Sequence, residues 1–481
     1  MPEPQPRPTR PRALTRKLTN AAISLQKTLT GGADEHGDIS TWNPALGEAV
    51  QEVTSLTAAP ASSSTRNGEQ MELDPRKNGE MGWRKYVKYF TPSWFTVTMG
   101  TGIVSSLLNQ FPYGARWLYW LSVVVFCLNI GLYAFFLFVS VVQFVMFPQV
   151  WITLPERPNQ AFFLSAIPMV GPLSCSRYYA DQQFQSLGTI VNMMVFVCVP
   201  AWGEWVIYLA WGLWMADAAL CLICALFLPF LLVIGRQEET PLSTITALQM
   251  FPVIGTVVAS ATAALVANVL PNNQQALVTV LAGYILLGVG LPTAIFILIM
   301  YWQRLTIHKL PSREVIVSCF VPLGPFGMGS FSIMKLGAVA MKVFPQTKSI
   351  HPLAGDLAYN FGVLFSLIMW GFTLLWLFLA VATIYHCKSF PFNMGWWGFT
   401  FPIGTFALAC NTLAKDIPSE FFRVIGSMVS VSVFLLWLLV AYVTLRDLIT
   451  GGKKLFKTPT RQVSKINDRA PDKFRDGEKL V

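Results

Sequence analysis

Ten apolar segments, each long enough to cross a bilayer, follow one another between residues 92 and 449, and no other feature restricts the fold as much. They run 92–111, 116–147, 161–200, 203–235, 242–270, 273–301, 314–343, 352–386, 391–415 and 419–449. A helical span needs about 20 apolar residues. In hydrocarbon the backbone must satisfy its own hydrogen bonds, so segments of this length are helices. The predicted fold is an all-α polytopic membrane protein with ten transmembrane helices.

Charge placement agrees with this. Only 12% of the chain is charged, against about a quarter in soluble domains, and 53% is hydrophobic. Residues 1–80 and 451–481 are polar tails flanking a ten-helix domain at 85–450. The first tail, rich in Pro, Ser, Thr and Gly, is too polar to bury a core and is expected to be disordered. Within it Leu14, Leu18, Ala21, Leu25 and Leu29 recur at helical spacing beside Arg12, Arg16, Lys17 and Lys27, the pattern of a membrane-surface helix or of a solvated, transiently helical tail. No apolar run of seven or more in residues 1–80 resembles a cleavable signal. An even number of spans puts both termini on one side. Arg84, Lys85 and Lys88, the loops carrying Arg157, Arg236, Arg304, Lys309 and Arg313, and Arg446, Lys453, Lys454 and Lys457 make that side cytosolic.

An internal repeat organises the helices. The odd-numbered segments carry Pro or Gly breaks: Met99-Gly100-Thr101-Gly102, Ile167-Pro168-Met169, Phe251-Pro252, Val321-Pro322-Leu323-Gly324-Pro325-Phe326-Gly327 and Phe401-Pro402-Ile403-Gly404. The even segments are longer and smoother. Helix breaks are tolerated where protein or a water-filled cavity satisfies the freed backbone. The simplest arrangement is five helical hairpins around a central pore, broken helices inside and smooth ones outside. Break spacing is 68 residues from Gly100 to Pro168, 70 from Pro252 to Pro322 and 80 from Pro322 to Pro402, but 84 from Pro168 to Pro252. Removing the polar stretch Val170 to Gln185 restores 68, which marks it as an insertion, natural or a retained intron, or else as a loop that splits the third helix.

Polar stripes line the odd segments. At about 100° per residue, Thr98, Thr101, Ser105 and Asn109 share a face, as do Thr246, Gln249, Thr256 and Ser260. Pro325, Ser332 and Lys335 lie together on the seventh segment, and Phe401, Thr405, Leu408, Thr412 and Lys415 form a seam on the ninth. Hydroxyls and amides without carboxylates suit an anion that sheds water briefly and leaves again; the same groups also glue helices together. The expected anion path comprises Thr98, Gly100, Thr101, Ser105, Pro168, Asn192, Gln249, Pro252, Thr256, Ser260, Pro322, Gly327, Ser332, Lys335, Pro402, Thr405 and Thr412, with Phe401 as the gate at the Pro402 break. Lys335 is the cation best placed to attract an anion, since charge deep in a membrane domain marks function. Asp217 and Asp356, on even segments, are expected to be structural. Four His, the absence of HExxH, P-loop and GxGxxG motifs, and a Cys221/Cys224 pair that reads as packing point away from an enzyme. No cofactor, metal or nucleic-acid partner is expected.

PSWFTVTMGTGIVSSLL (92–108), MVFVCVPAWGEW (194–205), WQRLTIHKLPSREV (302–315), VPLGPFGMGSFSIMKLG (321–337) and GWWGFTFPIGTFALACNTLAKDIPSEFFRVIG (395–426) resemble the tellurite-resistance/dicarboxylate transporter family, above all its fungal sulfite efflux branch. The resemblance covers roughly residues 85–450. It implies quasi-fivefold symmetry, odd helices lining the pore, a pore-occluding Phe at Phe401, a plasma-membrane location and a homo-oligomer, commonly a trimer, with a dimer also open. Met328 and Lys335 stand where the resemblance leads one to expect Gln. Sulfite or bisulfite is the implied anion, with malate or another C4-dicarboxylate as the alternative. A reading from another class is a membrane receptor or regulator whose basic tail, nine Lys or Arg against four Asp or Glu in Lys453–Val481, binds anionic lipid.

Overall fold

The computed structural model describes residues 90–146, 186–234 and 245–450, except 312, 314 and 349, together with Arg84 and Val87. The N-terminal tail and its Leu14 to Leu29 pattern, Pro168, the Val170 to Gln185 segment and the C-terminal tail lie outside the described residues. Among those described, the regular elements are all helices, and ten form the membrane domain: α1 Phe95–Asn109, α2 Arg116–Met146, α3 Ser186–Trp202, α4 Glu204–Ile234, α5 Phe251–Val269, α6 Asn273–His308, α7 Leu323–Thr347, α8 Ala354–Cys387, α9 Thr400–Asp416 and α10 Glu420–Ile449.

The helices sort into two layers. In α5 and α7, taken with the turns before them, the most apolar stretch is wholly buried, whereas in α2, α4, α6, α8 and α10 only 28–39% of it is. α1 is buried from Phe95 to Leu108. The even helices expose large apolar side chains such as Phe138, Phe296, Phe378 and Leu435, the face a lipid solvent requires.

Contacts between odd helices close a ring. Thr98 of α1 donates to Ser186 of α3 at 2.9 Å. A side chain at Gly188 of α3 would strike Val258 of α5. Ser260 of α5 and Ser332 of α7 share a 2.7 Å hydrogen bond, and Thr405 of α9 donates to Leu323 O of α7 at 3.3 Å. Gly404 of α9 returns to α1, where it packs on Ile103. Small residues at these crossings let backbones approach closely, the way helices associate when lipid removes the hydrophobic drive between them. Each even helix packs beside its odd partner, so five hairpins surround one interior, as the segment pattern predicts. Indole N–H groups join the layers: Trp214 of α4 donates to Ala259 O of α5 at 2.9 Å, and Trp437 of α10 to Thr101 of α1 at 3.1 Å. Trp370 of α8 donates to Cys410 Sγ of α9 at 3.0 Å.

The breaks differ from expectation in position. Before α1, α5, α7 and α9 the chain makes short 3₁₀ turns, Pro92–Trp94, Ala247–Met250, Ile316–Phe320 and Met394–Phe399. Pro252, Pro322 and Pro402 therefore sit at or within three residues of a helix start, where a missing N–H costs nothing and the fixed φ is already helical. α1 runs through Gly100 and Gly102 without interruption. Those glycines are sites of close approach, Gly100 against Thr400 and Gly102 against Thr189, so packing rather than a break accounts for them. The even helices are not uniformly smooth, because Pro292 lies inside α6. In α3 a π turn spans Met194–Cys198 just before Pro200, whose ring nitrogen cannot donate to the preceding turn.

Lys309, Lys348 and Lys388 follow α6, α7 and α8 with φ of 63°, 50° and 58°, a left-handed conformation that disfavours a Cβ. Lys348 occupies the helix-ending position usually held by glycine, its N–H bonded to Phe344 O at 3.1 Å. Lys348→Gly is expected to stabilise the protein by about 1 kcal/mol, read as a raised melting temperature in detergent.

Candidate permeation pathway

Three inner helices begin at one level. A Cβ built on Gly324, second residue of α7, would lie 3.5 Å from Ile254 Cδ1 of α5 and 4.0 Å from Phe401 Cε1 of α9. Since α5 and α9 flank α7 in the ring, a position touching both faces the ring interior. Phe401 is the second residue of α9 and Ile254 the fourth of α5, so three helix N-termini, with their partial positive charge, converge on this level. Phe401 is 4% exposed, and with Ile254 it fills the space that Gly324 leaves open. Toward the preceding turns an aromatic group adds a further layer: Phe320 and Phe399 meet edge to face at 5.0 Å, and Phe390 and Trp396 at 4.9 Å.

A seam leads from this level along α7. At about 100° per residue, Gly324, Met328, Phe331, Lys335 and Lys342 fall within about 60° of arc. Because Gly324 faces the interior, Lys335 does too, about 16 Å further along the helix at 1.5 Å per residue. Side chains open progressively in that direction: Ser332 is fully buried, Lys335 half-buried and Lys342 exposed. Lys342 Nζ donates to Asn268 Oδ1 near the end of α5 at 2.9 Å. On α9 the seam of Phe401, Thr405, Leu408, Thr412 and Lys415 lies within one unbroken helix, with Lys415 about 21 Å beyond Phe401. The two seams end together, since the charges of Lys415 and Asp416 both interact with Lys335.

The hydroxyls of the predicted stripes are mostly committed to neighbours. Thr101 donates to Val97 O (2.8 Å), Thr256 to Val253 O (2.8 Å) and Thr412 to Leu408 O (2.9 Å), each within its own helix. Thr98 bonds both Phe95 O and Ser186, and Ser105 donates to Ser122 O of α2 at 2.9 Å. Ser260 donates to Gly283 O of α6 at 2.7 Å and accepts from Ser332. Gly327 lies against Thr405, whose hydroxyl bonds Pro402 O and Leu323 O. In this arrangement those O–H groups face carbonyls, and Lys335 remains the donor on the interior seam. Asn192 of α3 is buried, and its Oδ1 has no hydrogen bond among the described residues. Gln249 is half-buried in the turn before α5. That turn is 3₁₀, so the common face expected for Thr246 and Gln249 with Thr256 and Ser260 does not carry through it. Gly100 abuts Thr400, and Pro252, Pro322 and Pro402 mark the helix starts.

Other charges fall elsewhere. Asp217 of α4 is buried, accepts from Cys221 Sγ at 4.0 Å and interacts with Tyr133 of α2. Asp356 lies exposed in the first turn of α8. Asp416 lies about 60° off the α9 seam by the helical wheel, and only the side-by-side register of α7 and α9 brings it to Lys335.

Five hairpins, three of whose inner helices begin at one buried aromatic level, define a polytopic helical membrane protein. Residues 89–445 match the model of the SLAC1 voltage-dependent anion channel family, and the chain belongs to that family. It is 38% identical over 398 residues to the sulfite efflux pump SSU1 of Arthroderma benhamiae, an alignment covering 83% of this chain and all of the relative. The sulfite efflux pump SSU1 of Trichophyton rubrum matches to the same extent. The malic acid transport protein of Schizosaccharomyces pombe is 21% identical over 376 residues, covering 76% of this chain and 81% of the relative.

Proposed function

We propose that this protein exports sulfite or bisulfite across the plasma membrane, with both termini cytosolic, through the interior of the odd-helix ring. Phe401 closes that interior at the level of Ile254 and Gly324. The observation that carries this reading is the convergence of three inner helix starts on Phe401, with a seam leading from there to Lys335. Helix N-termini favour an anion at the constriction, and Lys335 draws it along the seam. Binding of this kind is weak enough for release, as conduction requires. Thr98, Thr101, Ser105, Asn192, Gln249, Thr256, Ser260, Ser332, Thr405 and Thr412 contribute by shaping the ring and by exchanging hydrogen bonds as an anion passes. The names of the sulfite relatives support the choice of anion, and the family resemblance supports a homotrimer in contact with membrane lipid.

One observation favours a second reading as a C4-dicarboxylate permease. Two carboxylates want two cations, and Lys415 joins Lys335 at the end of the seams. Purified full-length protein in liposomes is expected to carry sulfite faster than malate, nitrate or chloride, and to restore sulfite tolerance to a strain lacking its own exporter. Malate flux exceeding sulfite flux would establish the second reading instead. The same assay on a chain lacking residues 170–185 tests whether that segment belongs to the working transporter: equal or higher flux without it marks it as an insertion.

A further inference from the structure

α9 ends in Lys415-Asp416, and α7 runs beside that end carrying Lys335. Asp416 is half-buried, and its Oδ2 is out of contact with water and without a hydrogen bond among the described residues. Lys335 and Lys415 are its principal electrostatic neighbours. Lys342 also acts on Lys335, and the Tyr359 hydroxyl of α8 also feels Asp416. Yet neither lysine closes an ion pair with the carboxylate among the described residues. A buried carboxylate oxygen without a donor is costly, and two ammonium groups with three donors each stand close by. The carboxylate is thus withdrawn from cations that it would otherwise bind, and their donors are left to something else.

We propose that Lys335 and Lys415 form an anion-binding station at the C-terminal ends of α7 and α9, and that Asp416 is its tethered competitor. In the arrangement seen here the Asp416 carboxylate stands clear of the two ammonium groups, whose donors are open to an anion. When the carboxylate approaches them, it displaces that anion. The station takes a small oxyanion of one or two negative charges, recognised by charge and by ammonium donors rather than by a shaped cavity. Its use is release, because a competitor that is always present keeps a site of two cations from holding its anion. The station rests on the anion-export reading for its substrate, but its residues and its competitor are separate claims.

Sulfite flux through the reconstituted full chain, measured against sulfite concentration, tests it. Removing one negative charge next to the station strengthens anion binding roughly three- to tenfold at the intermediate effective dielectric of a partly buried site. Asp416→Asn is therefore expected to lower the half-saturating sulfite concentration by that factor and to lower the maximal flux, because release slows. Asp416→Glu retains wild-type behaviour. Lys415→Gln raises the half-saturating concentration, and adding Asp416→Asn to a Lys335→Gln, Lys415→Gln chain changes nothing further. An unchanged or raised half-saturating concentration in Asp416→Asn protein that elutes as wild type does overturns the proposal. Should Asp416→Asn not fold, Asp416→Ser carries the same test, and an unchanged value in Lys415→Gln overturns the proposal independently. If the wild-type chain carries malate or chloride but not sulfite, the substrate reading fails and the same variants are scored on the anion carried. If it carries none, both claims fail.

Discussion

Phe401→Ala raises sulfite flux by about an order of magnitude, a barrier reduction of about 1.4 kcal/mol. The ring is buried at the level where α5, α7 and α9 meet, and the residue facing it on α7 is a glycine with no side chain to take over the space. Truncation leaves a gap lined by Ile254 and by three helix starts, so an anion meets positive partial charge where it met an aromatic face. The measurement is initial sulfite efflux from proteoliposomes at matched protein density. Phe401→Leu, which keeps an apolar plug, is expected to fall between the two. Equal flux through all three proteins would remove Phe401 from the pathway.

Gly327→Val abolishes recovery of folded protein. A Cβ at this position would lie 2.8 Å from Thr405 Oγ1 and 3.0 Å from Phe406 N, and the backbone of α9 cannot yield as a flexible side chain does. Overpacking of this kind costs typically 1–3 kcal/mol, and a branched side chain against backbone falls at the upper end. The contact joins α7 to α9 within the closed ring, so its loss strains the neighbouring crossings as well. Gly288→Ala on α6 is the matched control. Nothing lies within 4 Å of its Cβ position, so the substitution is expected to be neutral or to stabilise by up to about 1 kcal/mol through helix propensity. Fluorescence-detected size exclusion in detergent, with melting temperatures for the variants that survive, separates the two outcomes.

The ten helices were legible because a lipid solvent leaves the backbone so few options, and the two layers because odd and even segments differ in Pro and Gly placement. Where the sequence misled, the reason is local. Gly100 and Gly102 looked like a break because glycine weakens an isolated helix by about 1 kcal/mol. Inside a ring of tightly crossed helices the same residue is instead the one that allows Thr400 or Thr189 to approach. Pro252 and Pro402 looked like mid-helix interruptions because hydropathy runs on through the 3₁₀ turns that precede α5 and α9. Hydrophobic pattern does not distinguish three residues per turn from 3.6. The stripes were found as faces, but a face says nothing about what a hydroxyl bonds. Ser105 reaches a carbonyl of α2, and Thr101 accepts from Trp437 of α10. Lys335 stands out in the sequence as charge within an apolar segment, whereas its neighbour Asp416 depends on the register between two helices, which one-dimensional spacing does not contain.

The indole hooks from α4, α8 and α10 into α5, α9 and α1 bear on how fast the protein can switch. Each ties the outer helix of one hairpin to the inner helix of the next across a buried or part-buried hydrogen bond, so prising neighbouring hairpins apart leaves an indole donor without its partner. Whole-helix displacement, which in membrane proteins runs on microseconds to milliseconds, is therefore the expensive route. Turning one aromatic ring within a frame that stays put is the cheap one, and such turns are much faster. A conductance controlled in this way would flicker rather than step. Its temperature dependence would be that of a rotamer equilibrium, and single-channel records would show brief, noisy openings in place of long, well-separated dwell times.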